Sequence, residues 1–396
     1  MLKPRWLATY GPIIKPEYFE SKDEHELAEV LLEYWRQYKR PPVDQDDVLD
    51  LIGEDEYADI IGTVFLGVHD WDLEYASDSA IQFCKEQASK LAVLESLDDI
   101  NKGDLSSVHS RLKEAMKVGE DIGDVGIDIK KDASKWLHEQ QMDKVPTGLI
   151  HLDIAMEGGL GAGELGVFMS PPNYGKSMSL INVGYGAAGP ISRCNVIHFT
   201  LEMSANVVAK RYAARMLFRF PPKSGSMTEY EDDFIRVANM LMPGSVRTLG
   251  VRGTVANLRS KTDMYIDRGF TPDLIVVDYA DEIQPSRRRE SHWIEIGDVF
   301  RELRDMAFDY NVPIWTGTQA NRGALNKEVI TMGDLADSFQ KASIADAIIA
   351  ICQTAEEEKI NQCRLYLAKL RDGKSRAMVR AKFYPEQQAI VTTGFA

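Results

Sequence analysis

From Pro146 onward, short β-branched runs alternate with stretches of helical character. The runs are Leu165–Met169, Val196–Thr200, Leu274–Val277, Pro313–Thr318, Ala347–Cys352, Arg364–Lys369 and Met378–Tyr384. Alternation of this kind implies a parallel sheet flanked by helices, at least in its first half. The last runs lie too close together for helical crossovers, so they predict an antiparallel extension. The expected fold class of this part is α/β.

The N-terminal third reads as helical. Glu26 to Tyr38 places Leu27, Val30, Leu31, Leu32 and Trp35 near a 3.6-residue stripe, and Arg40-Pro41-Pro42 stops it. Ser79 to Leu97 puts Ile81, Cys84, Ala88, Leu91 and Leu94 on one face. Asn101-Lys102-Gly103 predicts a turn, Asp104 is placed to cap, and the next helix presents Leu105, Val108, Leu112 and Ala115. The pair reads as a helical hairpin, which suits either a collar or docking module or a plain small bundle. Gly119 to Gly126 reads as a linker, and Lys130 to Gln141 as one isolated amphipathic helix with Trp136 and Leu137. The expected division is a helical domain over 1–118, a linker over 119–145 and the α/β domain over 146–396.

Charge follows the same division. The net charge of −15 is concentrated in residues 1–120, where 13 Lys+Arg face 26 Asp+Glu; the remainder carries 33 against 35. Such acidity excludes nonspecific coating of nucleic acid but not a narrow basic channel. The start, MLKPRWLATYGP, has no apolar core of a signal peptide, and no apolar run approaches bilayer length. No membrane association and a cytoplasmic location are expected. Cys84, Cys194, Cys352 and Cys363 show no CxxC spacing and read as reduced structural thiols; the seven histidines form no HExxH, so no protein-ligated zinc is expected.

Four strand ends carry polar groups suited to one task. After the first run comes Ser170-Pro171-Pro172-Asn173-Tyr174-Gly175-Lys176-Ser177, a phosphate-binding loop with serine at the usual first glycine, leading through Met178 into a helix beginning near Ser179. Backbone N–H groups at a helix start face an anion; Gly175 allows close approach, Lys176 would neutralise phosphates, and Ser177 would bind Mg²⁺. Asp278 ends the Leu274 run, where it would hold Mg²⁺ through a water or simply terminate a core strand. Glu202 leaves the Val196 run as a base for water or as a cap or salt-bridge residue, and Ser204 can cap a helix carrying Arg211. Gln319 ends a further run and could sense a γ-phosphate. ATP with Mg²⁺ is the ligand this set predicts.

These residues, in this order, resemble the RecA-like motor of DnaB-type replicative helicases, particularly phage-encoded ones. The resemblance covers about 250 residues: Pro146-Thr147-Gly148 with Leu152-Asp153, Gly158 to Leu165, the phosphate loop, Thr200 to Ser204, Val277-Asp278-Tyr279, Asn311 to Arg322, Asp334 to Ser338, Ala345 to Ala347, and Ala368 to Gly373. It implies an ATP hydrolase forming a homo-oligomeric ring, usually hexameric, that translocates on single-stranded DNA and unwinds fork DNA, with 5′–3′ polarity. It implies that Lys369 and Arg371 reach the nucleotide of the neighbouring subunit, that Arg211 lies near the nucleotide, that the helix at 130–141 packs on that neighbour, and that the N-terminal domain is the place for primase or a helicase loader. Expected DNA contacts are Arg287, Arg288 and Arg289 in the loop after Asp278, and Lys327 and Asp337 in the loop from Gly323 to Gln340; the arginine cluster reads equally as a solvated face. In that second loop the family's Arg-Glu-Ser-Gly is replaced by Ala336-Asp337-Ser338-Phe339. If phage-encoded, the protein acts in the host cytoplasm. The competing readings are a RecA/RadA-like or KaiC-like ATPase without unwinding activity, and a non-catalytic scaffold for primase or loader.

Overall fold

The computed structural model describes residues 4–42, 45–52, 61–62, 73–101, 105–119, 129–130, 133, 144–222, 227–287, 289, 292–325, 327–335, 339–371, 373 and 375–396. It divides into two compact units, Met1–His138 and Glu139–Ala396.

Among the described residues of the first unit the regular structure is all helical: α1 (Pro4–Tyr10), α2 (Lys22–Tyr38), α3 (Gln45–Ile52), α4 (Leu73–Asn101) and α5 (Leu105–Met116), with 3-10 turns at Gly11–Ile13 and Pro16–Tyr18. Helix α2 buries Leu27, Ala28, Leu31 and Leu32 and ends before the prolines at Lys39, whose φ is 54°. Helices α4 and α5 pack together, with Cys84, Ala88, Ala92 and Ala115 joining Leu7, Ile14, Tyr18 and Leu32 in one core. Arg111 of α5 reaches Glu95 at 2.8 Å and Asp99 at 3.0 Å on α4. One expectation is corrected: Leu94 does not join the buried face but is 61% exposed, with Val93, Leu97 and Ile100 also exposed. Of the predicted turn at 101–103, Asn101 is instead the last residue of α4 and 102–103 lie outside the described residues, as do the cap at Asp104 and the helix at 130–141 apart from Lys130 and Ala133.

The second unit is a nine-stranded sheet in the order β3-β2-β4-β5-β1-β6-β7-β8-β9. The strands are β1 Leu165–Ser170, β2 Asn195–Thr200, β3 Ser245–Gly250, β4 Leu274–Asp278, β5 Ile314–Gln319, β6 Ala347–Cys352, β7 Gln362–Leu370, β8 Met378–Tyr384 and β9 Ala389–Phe395. Strands β3 to β6 in that spatial order pair in parallel, and β6 to β9 antiparallel, as the run spacing predicts. Two strands escaped the sequence reading. The edge strand β3 is half-exposed and lacks an apolar run, and β9 carries two threonines and Gly394.

The helices of this unit are α6 (Ile150–Ala155), α7 (Lys176–Ala188), α8 (Ala205–Leu217), α9 (Met227–Leu241), α10 (Val255–Asp267), α11 (His292–Tyr310), α12 (Phe339–Ile344) and α13 (Ala355–Lys359). Side chains alternate across the strands, so each face has its own core. Val167, Met169, Phe199 and Val277 meet Leu258, Phe300, Leu303 and Met306 on one side. Phe168, Val196, Val276 and Trp315 meet Leu152, Leu180 and Val183 on the other. Phe168 and Trp315 stack with centroids 4.8 Å apart, and losing either ring would cost about 3–5 kcal/mol. The Pro146-Thr147-Gly148 segment is tied down by Asp153, which accepts from the Thr147 N–H and hydroxyl at 2.7 and 2.6 Å and from the Gly148 N–H at 3.0 Å. Among the described residues no helix is long and apolar enough to cross a membrane.

Candidate nucleotide site

Because β1, β2, β4 and β5 are parallel, their C-terminal ends share one edge: Ser170 lies beside Gln319 and Thr200 beside Asp278. A cavity of about 370 Å³ opens there. Pro172, Asn173, Gly175, Lys176, Ser177, Met178, Glu202, Arg211 and Gln319 line it, together with Met203, Tyr279, Phe383, Pro385 and Gln388, which the sequence reading missed. Only the strand pairing brings β8 and its turn to the loop, so no local signal marked those last three.

The loop folds as its composition requires. Ser170 is fully buried at the end of β1, and its hydroxyl donates to the Pro171 carbonyl at 2.9 Å. Asn173 and Gly175 both have positive φ, 66° and 88°. A Cβ at Gly175 would lie 2.8 Å from the Phe383 ring, so glycine is required there on two counts. Helix α7 starts at Lys176, three residues earlier than expected, which puts its free N–H groups and positive dipole end at the cavity. Ser170, Pro171 and Tyr174 shape the loop without lining the cavity.

Lys176 is buried, with its ammonium 4.7 Å from the Tyr279 ring centroid. Burial lowers its pKa, opposed by the charges of Asp281, Asp278 and Glu202. The Ser177 hydroxyl donates to Asp278 Oδ1 at 3.0 Å. Asp278 is 1% exposed, and its Oδ2 is buried with no hydrogen-bond partner. Burial pushes its pKa up to about 6, against the Ser177 hydrogen bond and the Arg211 charge. A hydroxyl and an orphaned carboxylate oxygen side by side form a hard-oxygen pair that would suit a divalent cation. Glu202 is exposed in the cavity, and among the described residues it has no hydrogen-bond or ion-pair partner. Ser204 caps α8, accepting from the Val207 N–H, which places Arg211 at the cavity. The Gln319 amide donates to the Tyr279 hydroxyl at 3.0 Å, and that hydroxyl donates to Glu282 at 2.9 Å.

Behind this edge lies a network with no sequence signal. Asp281 accepts from the Thr318 hydroxyl at 3.0 Å, the Gln319 N–H at 3.0 Å and the Lys341 ammonium at 2.8 Å.

Other predicted residues lie elsewhere. Lys369 and Arg371 are not in this cavity but at the opposite end of the sheet. There Lys369 donates to the carbonyls of Ala342, Ser343 and Ala345 at 2.7, 3.1 and 2.6 Å, and Arg371 pairs with Asp346 at 2.8 Å. Within the single chain both cations are therefore committed, and Lys369 caps α12. Arg289 pairs with Asp298 at 3.0 Å, and Lys327 with Asp334 at 2.6 Å. Arg287 is exposed and makes no hydrogen bond or ion pair among the described residues. Arg288 and Asp337 lie outside the described residues.

Comparisons with known proteins agree with this geometry. Residues 144–391 match the DnaB-like helicase C-terminal domain. A DnaB-like replicative helicase of Enterobacteria phage T4 is 26% identical over 289 residues, 66% of this chain and 58% of that protein. The replicative DNA helicase DnaC of Bacillus subtilis is 24% identical over 262 residues, 61% of this chain and 56% of that protein. The chain thus spans a little over half the length of these curated relatives. Among solved structures, the fold is similar to a DnaB-like replicative helicase studied for its interactions with primase, with TM-score 0.68, 17% identity, and coverage of 98% of this chain and 99% of that one. It is also similar to a separately solved ATPase domain, with TM-score 0.59, 19% identity, and coverage of 68% of this chain and 99% of that one. The family match takes in more than half of the chain and every strand from β1 to β8, so this protein belongs to the DnaB-like helicase family.

Proposed function

We propose that the protein is an ATP-dependent replicative DNA helicase, a ring-forming motor that translocates on single-stranded DNA and unwinds the duplex ahead of it. The observation that carries this reading is the convergence of Lys176, the Ser177–Asp278 pair, Glu202 and Gln319 on one cavity at the sheet edge. The family match and the relatives described as replicative helicases support it.

The N–H groups at the start of α7 and the Lys176 ammonium bind the β- and γ-phosphates of ATP. Ser177 and Asp278 hold Mg²⁺, which when bound neutralises phosphate charge. Glu202 orients the attacking water and takes its proton, and Gln319 contacts the γ-phosphate. Arg211 faces the bound nucleotide from α8. Lys369 and Arg371 supply positive charge to the nucleotide of the neighbouring subunit, which makes hydrolysis conditional on assembly. The ring is hexameric and moves 5′ to 3′, as the family resemblance implies. Arg287, Arg289 and Lys327 meet the DNA backbone, where contacts need basic groups rather than base readers. The helical domain over 1–118 docks primase or a loader, 119–145 is the linker with its interface helix, and 146–396 is the motor, working in the cytoplasm.

A forked DNA substrate tests the reading. ATP-dependent strand displacement is expected, and Lys176→Ala abolishes it. Hydrolysis without displacement, with filaments seen by electron microscopy, would assign the protein to the RecA-like ATPases instead. Full function in Lys176→Ala would make it a scaffold.

A further inference from the structure

Among the described residues, Lys341 is the most deeply buried cation, with its side chain 2% exposed. Its ammonium donates to Asp281 Oδ1 and to Thr318 Oγ1, both at 2.8 Å, and lies 5.5 Å from the Phe300 ring centroid. A buried ion pair returns little net stability, because desolvation offsets the attraction. What it does supply here is geometry. Asp281 also holds the Gln319 N–H at 3.0 Å, so Lys341 is one step from the polar end of β5.

Lys341 belongs to α12, a helix of six residues. The other end of that helix is held by the basic pair. Lys369 takes up three carbonyls at residues 342, 343 and 345, and Arg371 donates to the Ser343 carbonyl at 3.4 Å. One short, stiff element therefore joins the cavity edge to the two cations at the far end of the sheet.

We propose that Lys341 is a positioning residue: by anchoring α12 to Asp281 and Thr318, it holds the Gln319 edge and the Lys369–Arg371 pair as one rigid piece. A subunit's own nucleotide site and the cations it offers its neighbour then move together. This rests on the reading that Lys369 and Arg371 act on the neighbouring subunit's nucleotide.

Mixed assemblies of full-length chains separate the two claims. The dopant carries Lys341→Met and Asp281→Asn, which removes the pair without stranding a lone buried charge, plus Lys176→Ala, which silences its own site. It is titrated into wild-type protein with single-stranded DNA, and ATP turnover per wild-type chain is followed. Lys176→Ala alone and Lys176→Ala/Arg371→Ala are the reference dopants. The triple variant is expected to lower turnover about threefold further than Lys176→Ala alone at equal ratio, approaching the Arg371 dopant. A curve that superimposes on Lys176→Ala alone overturns the proposal, provided the Arg371 dopant still poisons. If the Arg371 dopant also fails to poison, the neighbour-acting reading has failed and takes the proposal with it. Energy transfer between labelled chains reports mixing; exclusion of the triple variant from assemblies would leave Lys341 a purely structural role and overturn the proposal. As a homogeneous protein, Lys341→Met/Asp281→Asn is expected to lose about tenfold in DNA-stimulated kcat with KM for ATP within about twofold, and a loss confined to KM overturns it as well.

Discussion

The two ends of the β1–β6 sheet treat charge in opposite ways. At the C-terminal edge, the charged groups around the cavity are short of hydrogen-bond partners among the described residues: Lys176 is buried with its ammonium against the Tyr279 ring, Asp278 Oδ2 is orphaned, and Glu202 is unbonded. At the N-terminal edge they are saturated. Asp346 is 4% exposed and accepts from the Leu165 N–H at 3.0 Å, Arg304 at 3.1 Å and Arg371 at 2.8 Å, while Lys369 holds three carbonyls. Buried polar groups left unmatched are costly, so an edge that keeps them is built for a ligand that supplies the missing partners. The saturated edge is scaffold, and its cations act outward only through the donors their own chain leaves spare.

The largest effect should fall on the unmatched edge. Glu202→Gln is expected to lower kcat for ATP hydrolysis about 10³-fold while fluorescent nucleotide still binds. A loss below tenfold in steady-state assays would mean that this edge does not hydrolyse ATP. Arg371→Ala comes next, with about 10²-fold lost from DNA-stimulated hydrolysis and binding nearly unchanged. Loss of binding in equal measure would place Arg371 in its own subunit's pocket or in folding.

Asp278→Asn turns the comparison into a pH measurement. Its folded pKa, about 6, lies above the ordinary aspartate value of 3.8. Folding therefore favours the protonated carboxyl, and that stability is fully present below the unfolded pKa and lost as pH rises through 6. The nucleotide-free variant should be more stable than wild type at pH 8 by on the order of 2–3 kcal/mol, and by about half as much at pH 5. Thermal unfolding at the two values checks this; a gain independent of pH would mean that the carboxylate is not desolvated. The smallest effects belong to the loop cations. Arg289→Ala and Lys327→Ala remove charges already paired in the chain, so single-stranded DNA affinity should fall only about twofold, whereas Arg287→Ala, at a residue with no ion pair among the described residues, should cost more and flatten the salt slope. Equal losses at all three would erase the distinction between paired and unpaired cations.

Most of the fold of the second unit was legible because five of its strands, β1, β2, β4, β5 and β6, are buried on both faces and so read as nearly unbroken apolar runs, while β7 and β8 alternate buried with more exposed residues; the seven runs became seven strands at nearly the expected boundaries. The edge strands β3 and β9 lacked that signature because one side of each has no neighbour to bury against. Helix α4 misled in the other direction: its periodicity continues through Leu94 and Leu97, yet no described partner covers them, and both are over half exposed. In the site, the loop and the three strand-end residues were readable from strand–polar–helix punctuation. Tyr279, Phe383 and Gln388 were not, since their roles depend on which strands become neighbours.

The sequence by itself determined the alternation of strands and helices, the phosphate loop with its irregular Ser170 start, and the polar residues at the strand ends. These depend on periodicity and on turn chemistry among close neighbours along the chain. Tertiary structure alone decided which charges are matched. Lys341 and Asp281 are 60 residues apart, and Lys369 is 27 from the Ala342 carbonyl it holds. Pairing follows distance in space and loss of water, and both are set only when β4, β5, β6 and β7 assemble into one sheet with α12 against it.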